Sequence, residues 1–268
     1  MAIRVVVAGA TGWTGRALVA AILKSEDLVL AGAVARSSAG KDAGAAIGLP
    51  PAGVALSPSL REALAAPSDV VIDYTKPDVV KANVLEALSA GRHVIVGTSG
   101  LSAEDYREID DAALRAGRGV IAAGNFSITA TLLKRFALEA ARYVPDVEII
   151  DYASASKPDT PSGTARELAE ALGDIKRNTT VKPVGELTGL RETRGASVGD
   201  STPVQVHSLR LPSFVLSCEA VFGAPDERLT IRHDAGSSAA PYVAGTLLAV
   251  QRVADQTGLR RGLDSLIR

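Results

Sequence analysis

The feature that most constrains this chain is a β-branched run, Ile3 to Val7, that stops at a glycine and gives way to a helix. It has no polar alternation beyond Arg4, which suits a strand buried on both faces of a parallel sheet. Gly9, Gly12 and Gly15 follow with the spacing G-x-x-G-x-x-G, and Ala17, Leu18, Ala21 and Ile22 then mark a helical face. The first glycine permits a tight turn, the second lets backbone approach a pyrophosphate, and the third lets helix pack closely on strand. The N–H groups of the helix's first turn then face the phosphates. The glycine spacing alone is a weak signal; between a clear strand and a clear helix it predicts dinucleotide binding. Thr11, Trp13 and Thr14, between and beside the glycines, belong to the same set of expected cofactor contacts.

A second strand, Leu28 to Ala35, closes the βαβ unit, and the residue at its end selects the dinucleotide. An acid there would hold the ribose 2′-hydroxyl of NAD and repel a 2′-phosphate, whereas an arginine would accept the phosphate. The chain reads Ala35-Arg36-Ser37-Ser38, with Lys41 close behind and no acid until Asp42. A guanidinium and neighbouring hydroxyls suit a phosphate dianion, so NADPH is expected over NADH.

Composition narrows the partners. Among 268 residues, 47% are hydrophobic and 22% charged, as in an ordinary soluble globular chain. The net charge is −1 and no basic run marks a nucleic-acid partner. No apolar stretch approaches the ~20 residues that span a bilayer. The chain enters its first strand without an export signal, so the cytoplasm is the expected compartment. The single cysteine, Cys218, excludes an internal disulfide and sits in an apolar run as a core thiol.

Apolar runs and helical patterns alternate through the first half. Strands are expected at Val54–Leu56, Val70–Tyr74, His93–Val96 and Val120–Ala123. Helices are expected after Ser59, from Pro77 to Ala90, and from Ser102 to Ala116. This order predicts a doubly wound parallel sheet with ligands at the carboxyl ends of its strands, in the loops Gly9–Gly15, Tyr74–Pro77, Gly97–Gly100 and Gly124–Ser127. After Asn125 the pattern changes to helix Ser127–Tyr143, strand Val147–Ala153 and helix Thr164–Leu172. A polar, irregular stretch follows, from Asp174 to Thr202, and then strands Val204–Leu211, Phe214–Phe222 and Arg228–His233. Successive strands without helices argue for a mixed sheet in a smaller α+β domain. The expected division is 1–126 for the dinucleotide domain, with a C-terminal return over 235–268 that includes helix Pro241–Ala254, and 127–234 for substrate binding and oligomerisation.

His93, His207 and His233 are scattered singly without ligand spacing, so no metal site is expected. A nicotinamide would carry the hydride, leaving the protein to position a substrate and supply a proton. The candidate loop runs from Ser154 through Lys157, Pro161, Ser162 and Gly163 to Thr164 and Ala165. Pro-Ser-Gly-Thr-Ala opens a helix, and its N–H groups with the Ser162 and Thr164 hydroxyls make a carboxylate cradle. Lys157 either pairs with that anion or protonates the atom beside the reduced carbon.

Five stretches together resemble the 4-hydroxy-tetrahydrodipicolinate reductase (dihydrodipicolinate reductase) family over nearly the whole chain. They are Val7-Ala8-Gly9-Ala10-x-Gly12-x-x-Gly15-Arg16, Asp73-Tyr74-Thr75-Lys76-Pro77, Gly97-Thr98-Ser99-Gly100, Asn125-Phe126-Ser127, and Lys157-x-Asp159-x-Pro161-Ser162-Gly163-Thr164-Ala165. The resemblance implies a Rossmann domain and a substrate domain in a cytoplasmic homotetramer. It also implies NADPH- or NADH-dependent reduction of a cyclic imine dicarboxylate in lysine and diaminopimelate synthesis. By match, Gly9, Gly12, Gly15, Arg36 and Ser37 would bind cofactor, with Thr75, Gly97, Thr98, Asn125 and Phe126 on the nicotinamide side. Lys157, Ser162, Gly163 and Thr164 would hold substrate.

The chain also departs from the family. Where the family has Glu-x-His-His-x-x-Lys, it reads Asp151-Tyr152-Ala153-Ser154-Ala155-Ser156-Lys157. Alanine cannot donate a proton, and serine is far too weak an acid to replace imidazolium near neutral pH. The family's Arg-x-Gly-x-x-Gly-x-His stretch becomes Arg210 to Ser217 without its glycines or histidine. The expectation is therefore an NADPH-dependent reductase of a C=N or C=O group in a carboxylate-bearing substrate other than the family's. In this reading Lys157, with Tyr152 as replacement acid, is catalytic. Retention of the lysine-pathway reaction is the alternative, and a non-catalytic NADPH-binding sensor the third reading.

Overall fold

The computed structural model describes residues 2–157, 159–189 and 194–267. They form two compact units, Met1–Ile128 with Ala239–Arg268, and Thr129–Ser238.

In chain order the first unit begins with β1 (Ile3–Ala8), α1 (Trp13–Ile22), β2 (Leu28–Val34), α2 (Ala43–Ala46), β3 (Leu56–Ser57) and α3 (Leu60–Ala63). It continues with β4 (Val70–Asp73), α4 (Pro77–Ser89), β5 (His93–Val96), α5 (Ala103–Ala116) and β6 (Gly119–Ala122). The second unit takes up α6 (Ile128–Ala140), β7 (Asp146–Ala153), α7 (Gly163–Gly173), β8 (Ala196–Val198), β9 (Val204–Arg210), β10 (Leu216–Ala224) and β11 (Glu227–Ala235). The chain then returns to the first unit with α8 (Ala240–Arg252) and β12 (Gly258–Arg261).

The first unit is a Rossmann-like parallel sheet of seven strands, ordered β12-β6-β5-β4-β1-β2-β3. Val5, Val6, Val7 and Ala8 are all fully buried, because alternate side chains enter two cores on opposite faces. Val5 and Val7 meet Leu18 and Ile22 of α1 with Ala249 and Val250 of α8. Val6 and Ala8 meet Val80 and Val84 of α4 with Ile109 of α5. The register brings the strand ends level: Ala8 lies beside Val34 and Asp73, and Asp73 beside Val96. The sheet order reverses around β1, so the loops after β1 and β4 diverge there and leave a crevice.

Local signals explain the helix ends. Ser59 caps α3, and Ser102 forms a capping box with Asp105 at the start of α5, which ends at Gly117 in the left-handed conformation (φ 62°). Two strands differ from expectation. Gly258–Arg261 adds a seventh strand beside β6, although Leu259 is its only apolar residue and it carries two arginines. Ala196–Val198, inside the stretch read as irregular, is a short exposed edge strand paired to β9. Both are too short and too polar to announce themselves by periodicity. Residues 190–193 of that stretch lie outside the described residues.

The second unit is a mixed sheet ordered β11-β10-β7-β9-β8, in which only β7 and β9 run parallel. Along β7, Val147, Ile149, Asp151 and Ala153 are buried, while Glu148, Ile150 and Tyr152 are only partly so. The buried face packs on Leu133 and Ala137 of α6 and Leu168 and Leu172 of α7, with Cys218 inside. Among the described residues no helix is long and apolar enough to cross a membrane.

Candidate active site

Above the ends of β1 and β4 the first unit opens a cleft of about 540 Å³, bordered by Gly9, Thr11, Arg36, Ser37, Tyr74 and Thr75. Gly9 has φ +85°, and a Cβ there would lie 2.2 Å from the Tyr74 carbonyl oxygen. A Cβ on Gly15 would lie 2.0 Å from the Gly9 carbonyl oxygen, so only glycine lets α1 start this close to the turn. Gly12 is the N-cap of α1, with no side-chain cap and no acid in the first turn. The positive end of the helix therefore remains available to an anion. This cradle, with Thr14 and Gly15 in its first turn, fits the pyrophosphate of a dinucleotide. Trp13 is exposed and packs edge-on against Tyr242, 5.7 Å between centroids. Arg36 and Ser37 stand exposed on the 3₁₀ turn that ends β2.

The nicotinamide-side residues expected from sequence divide into a layer facing the cleft and a layer beneath it. Thr75 borders the cleft. Its hydroxyl donates to Asp73 Oδ1 at 2.7 Å, and its N–H is shared between Asp73 Oδ1 (3.0 Å) and Thr98 Oγ (2.7 Å). Thr98 is buried and its hydroxyl donates to the same Oδ1 at 2.7 Å, so it braces Thr75 rather than facing the cleft. Gly97 backs onto Tyr74, whose ring would be 2.1 Å from a Cβ at that position. Tyr74 in turn hydrogen-bonds the Thr246 hydroxyl at 2.9 Å, and burial pushes its phenol well above its ordinary pKa. Asn125 accepts from the Ser127 N–H at 2.8 Å. Phe126 is 1% exposed with its ring 6.0 Å from that of Tyr74, so its side chain packs in the core.

In the second unit the loop after β7 is organised by a carboxylate that sequence reading treated only as a motif position. Asp151 is fully buried and accepts from the Ser162 N–H (2.8 Å) and hydroxyl (2.6 Å), from Ser208 (3.1 Å) and from Arg210 Nη2 (2.8 Å). Burial pushes its pKa up, but the Ser162 and Arg210 bonds outweigh that and hold it below the usual carboxylate range. The same Nη2 also donates to the Asp159 carbonyl at 2.7 Å, tying the loop to β9. Lys157 is one-third exposed and pairs with Asp159 at 2.7 Å.

Two expectations for this loop need correction. Ser162 does not offer its hydroxyl to a ligand: the oxygen caps α7 by accepting from Ala165 N, and its proton goes to Asp151. Tyr152 does not share a face with Asp151 and Ala153, because side chains alternate along β7. Its hydroxyl donates to Glu219 at 3.3 Å, Arg232 stacks over its ring, and Phe214 lies 5.1 Å away. Burial and the Glu219 charge push its phenol pKa up, so it is a poorer acid than free tyrosine. Gly163 and Thr164 form the first turn of α7, and Lys157 lies on the loop between β7 and that helix.

Comparison with known proteins places these features. Residues 3–126 match the family model described as dihydrodipicolinate reductase, N-terminus, and residues 129–266 match dihydrodipicolinate reductase, C-terminus. The 4-hydroxy-tetrahydrodipicolinate reductase of Synechococcus elongatus is 39% identical over 272 residues, covering 99% of this chain and 98% of the relative. The chain belongs to the dihydrodipicolinate reductase family. The enzyme of the same description from Moorella thermoacetica is also 39% identical, over 267 residues, covering 99% of this chain and 98% of its own length. A dipicolinate-bound dihydrodipicolinate reductase from Paenisporosarcina superposes with TM-score 0.80 and 28% identity over the whole of both chains. The amine dehydrogenase of Mycobacterium smegmatis shares the fold (TM-score 0.66, 15% identity, covering 96% of this chain and 94% of its own).

This dihydrodipicolinate reductase family member is thus an NAD(P)H-dependent oxidoreductase acting on a small molecule. Of its three imidazoles, His207 bonds Glu148 at 2.8 Å and His233 lies buried beside Thr129 at 3.1 Å. His93 accepts from Gly119 N at 2.9 Å in the first unit, and none of the three lies on the loop after β7. Among the described residues no cluster of three or more His, Cys, Asp or Glu could hold a metal.

Proposed function

We propose that this reductase retains the reaction named for its relatives, reduction of 4-hydroxy-tetrahydrodipicolinate in lysine and diaminopimelate synthesis, with NADPH as the preferred reductant. The observation that carries the reading is the full-length match at 36–39% identity to enzymes of that name, combined with an intact Lys157-to-Ala165 loop. When bound, the dinucleotide supplies the hydride. The chain's own part is to hold the pyrophosphate at Gly9–Gly15 and the 2′-phosphate at Arg36 and Ser37. Lys157 and the first-turn N–H groups of α7, Gly163 foremost, hold a substrate carboxylate. Lys157 must leave Asp159 to do so, which is inexpensive for a partly exposed pair. With Ala153 and Ser154 in place of imidazoles, the proton comes from the Lys157 ammonium or from water. The homotetramer implied by the resemblance is part of the same proposal, and a monomer at sedimentation equilibrium would remove it.

The test is oxidation of NADPH with freshly generated 4-hydroxy-tetrahydrodipicolinate. Turnover is expected, with kcat/KM falling ~10²–10⁴-fold in Lys157→Ala, the range for losing a positioned proton donor. Arg36→Ala is expected to raise the KM for NADPH about tenfold, more than that for NADH, as loss of one charge-assisted hydrogen bond implies. A second reading, favoured specifically by Ala153 and Ser154, is a related carboxylate-bearing imine or carbonyl substrate. It gains if the protein binds NADPH, fails on 4-hydroxy-tetrahydrodipicolinate and turns over another member of a panel of imino and keto acids.

A further inference from the structure

We infer that Asp73 fixes Thr75 as a hydrogen-bond acceptor toward the cofactor and so determines which groups that position recognises. A threonine hydroxyl has one proton. In Thr75 that proton goes to Asp73 Oδ1 at 2.7 Å, and the backbone N–H goes to Asp73 and Thr98. Thr98 donates its own proton to the same carboxylate oxygen, 2.7 Å away, and accepts the Thr75 N–H. Asp73 Oδ2 is taken by Asn83 Nδ2 at 2.7 Å, and the carboxylate has no solvent exposure. Every donor of Thr75 is therefore spent inside the protein, while the residue borders the cleft that Gly9 and Arg36 also line.

A phosphate or carboxylate oxygen set against Thr75 would meet only lone pairs and would be repelled. A sugar hydroxyl or carboxamide N–H would find an acceptor already oriented, with no rotamer left to order. Asp73 is thus a positioning residue acting through Thr75. It reserves Thr75 for a hydrogen-bond donor of the dinucleotide and leaves the phosphates to α1 and Arg36. The inference rests on the proposal above that the cleft holds a nicotinamide dinucleotide.

The test titrates the intact protein with NADPH and, separately, with inorganic pyrophosphate, which carries phosphates but no sugar hydroxyl or amide. Asp73→Ala removes the acceptor of the Thr75 proton and frees the hydroxyl to turn. NADPH is expected to bind about tenfold more weakly, the size of one lost hydrogen bond, with pyrophosphate changed less than about twofold. Asp73→Asn keeps an oxygen toward Thr75 and Thr98, with Asn83 turning its own amide oxygen to the new N–H, and is expected to recover most of the loss. Equal weakening of both ligands, or unchanged NADPH affinity, would overturn the inference. If Asp73→Ala does not fold, Thr75→Val removes the Thr75 hydroxyl itself and should give the same split between ligands; unchanged NADPH affinity there overturns it equally. A wild-type protein that binds neither ligand rejects the cofactor reading itself, which is a separate result.

Discussion

Each unit keeps one carboxylate wholly out of solvent at the foot of a functional loop, and the two are neutralised differently. Asp73 is held entirely by neutral donors, the Thr75 N–H, the Thr75 and Thr98 hydroxyls and the Asn83 amide. Asp151 has a neutral set from Ser162 and Ser208, but also the Arg210 guanidinium at 2.8 Å. The donors of Asp73 lie on the turns that end β4 and β5, the adjacent strands, and on the helix after β4, so short side chains suffice. The loop after β7 is longer, from Ser154 to Ser162, and the Arg210 side chain spans from β9 to its Asp159 carbonyl. A cation buys that reach at the cost of desolvating two charges, which makes the second arrangement the more brittle one.

Breaking the ion pair tests this most severely. Arg210→Ala leaves the Asp151 carboxylate buried beside neutral donors only, and should cost about 3–5 kcal/mol of stability in the second unit. Chemical denaturation followed by a probe in that unit reads it, and a loss below about 1 kcal/mol would mean that neutral donors alone suffice, as they do at Asp73. The Asp73→Ala substitution ranks next. It takes the shared acceptor from the Thr75, Thr98 and Asn83 donors, so about 1–3 kcal/mol is expected, with Asp73→Asn recovering part of it. An equal or larger loss than Arg210→Ala would reverse the ranking. Ser162→Ala removes the cap of α7 and one of the donors to Asp151, for about 0.5–2 kcal/mol. Its signature is a fall in the affinity for a carboxylate ligand alongside the stability loss, since the helix start and the loop move together.

Much of this architecture was legible in the chain. The parallel sheet followed from apolar runs such as Val70–Ile72 and Val94–Val96, and the close turn into α1 from three glycines in a strand-to-helix context. The mixed sheet followed from three consecutive strand patterns. What could not be read was which polar residues turn inward. Asp73 and Asp151 each end or interrupt a buried strand, and a lone acid among β-branched residues is itself a sign of a buried hydrogen-bond hub. Nothing in the sequence, however, pairs Asp151 with Arg210, 59 residues on. Adjacency in sequence to the altered positions points to Tyr152, but the period of two along a strand sends it to the other face. Ser162 fits a carboxylate cradle and an N-cap equally well on paper; only the 2.6 Å bond to Asp151 decides between them.

The smallest expected effect is a slope with pH, and it separates the two units once more. Burial lowers the imidazole pKa of His93 in the first unit and of His233 in the second. A histidine whose folded pKa is depressed contributes stability that is fully present above its unfolded value, about 6.5, and lost as pH falls through the folded one. The Nε2 of His233 is buried without a partner, so protonation there would strand a charged donor. Asp151, also depressed, acts in the same direction but in a lower window: its contribution is complete above about pH 4 and fades as pH falls through its folded value. Melting temperatures between pH 8 and 5 therefore report the two imidazoles and those below pH 4 the carboxylates. His233→Gln should flatten the upper window for the second unit and leave the lower one unchanged. An undiminished slope between pH 7 and 5 in that variant would place the whole effect on His93 and the first unit.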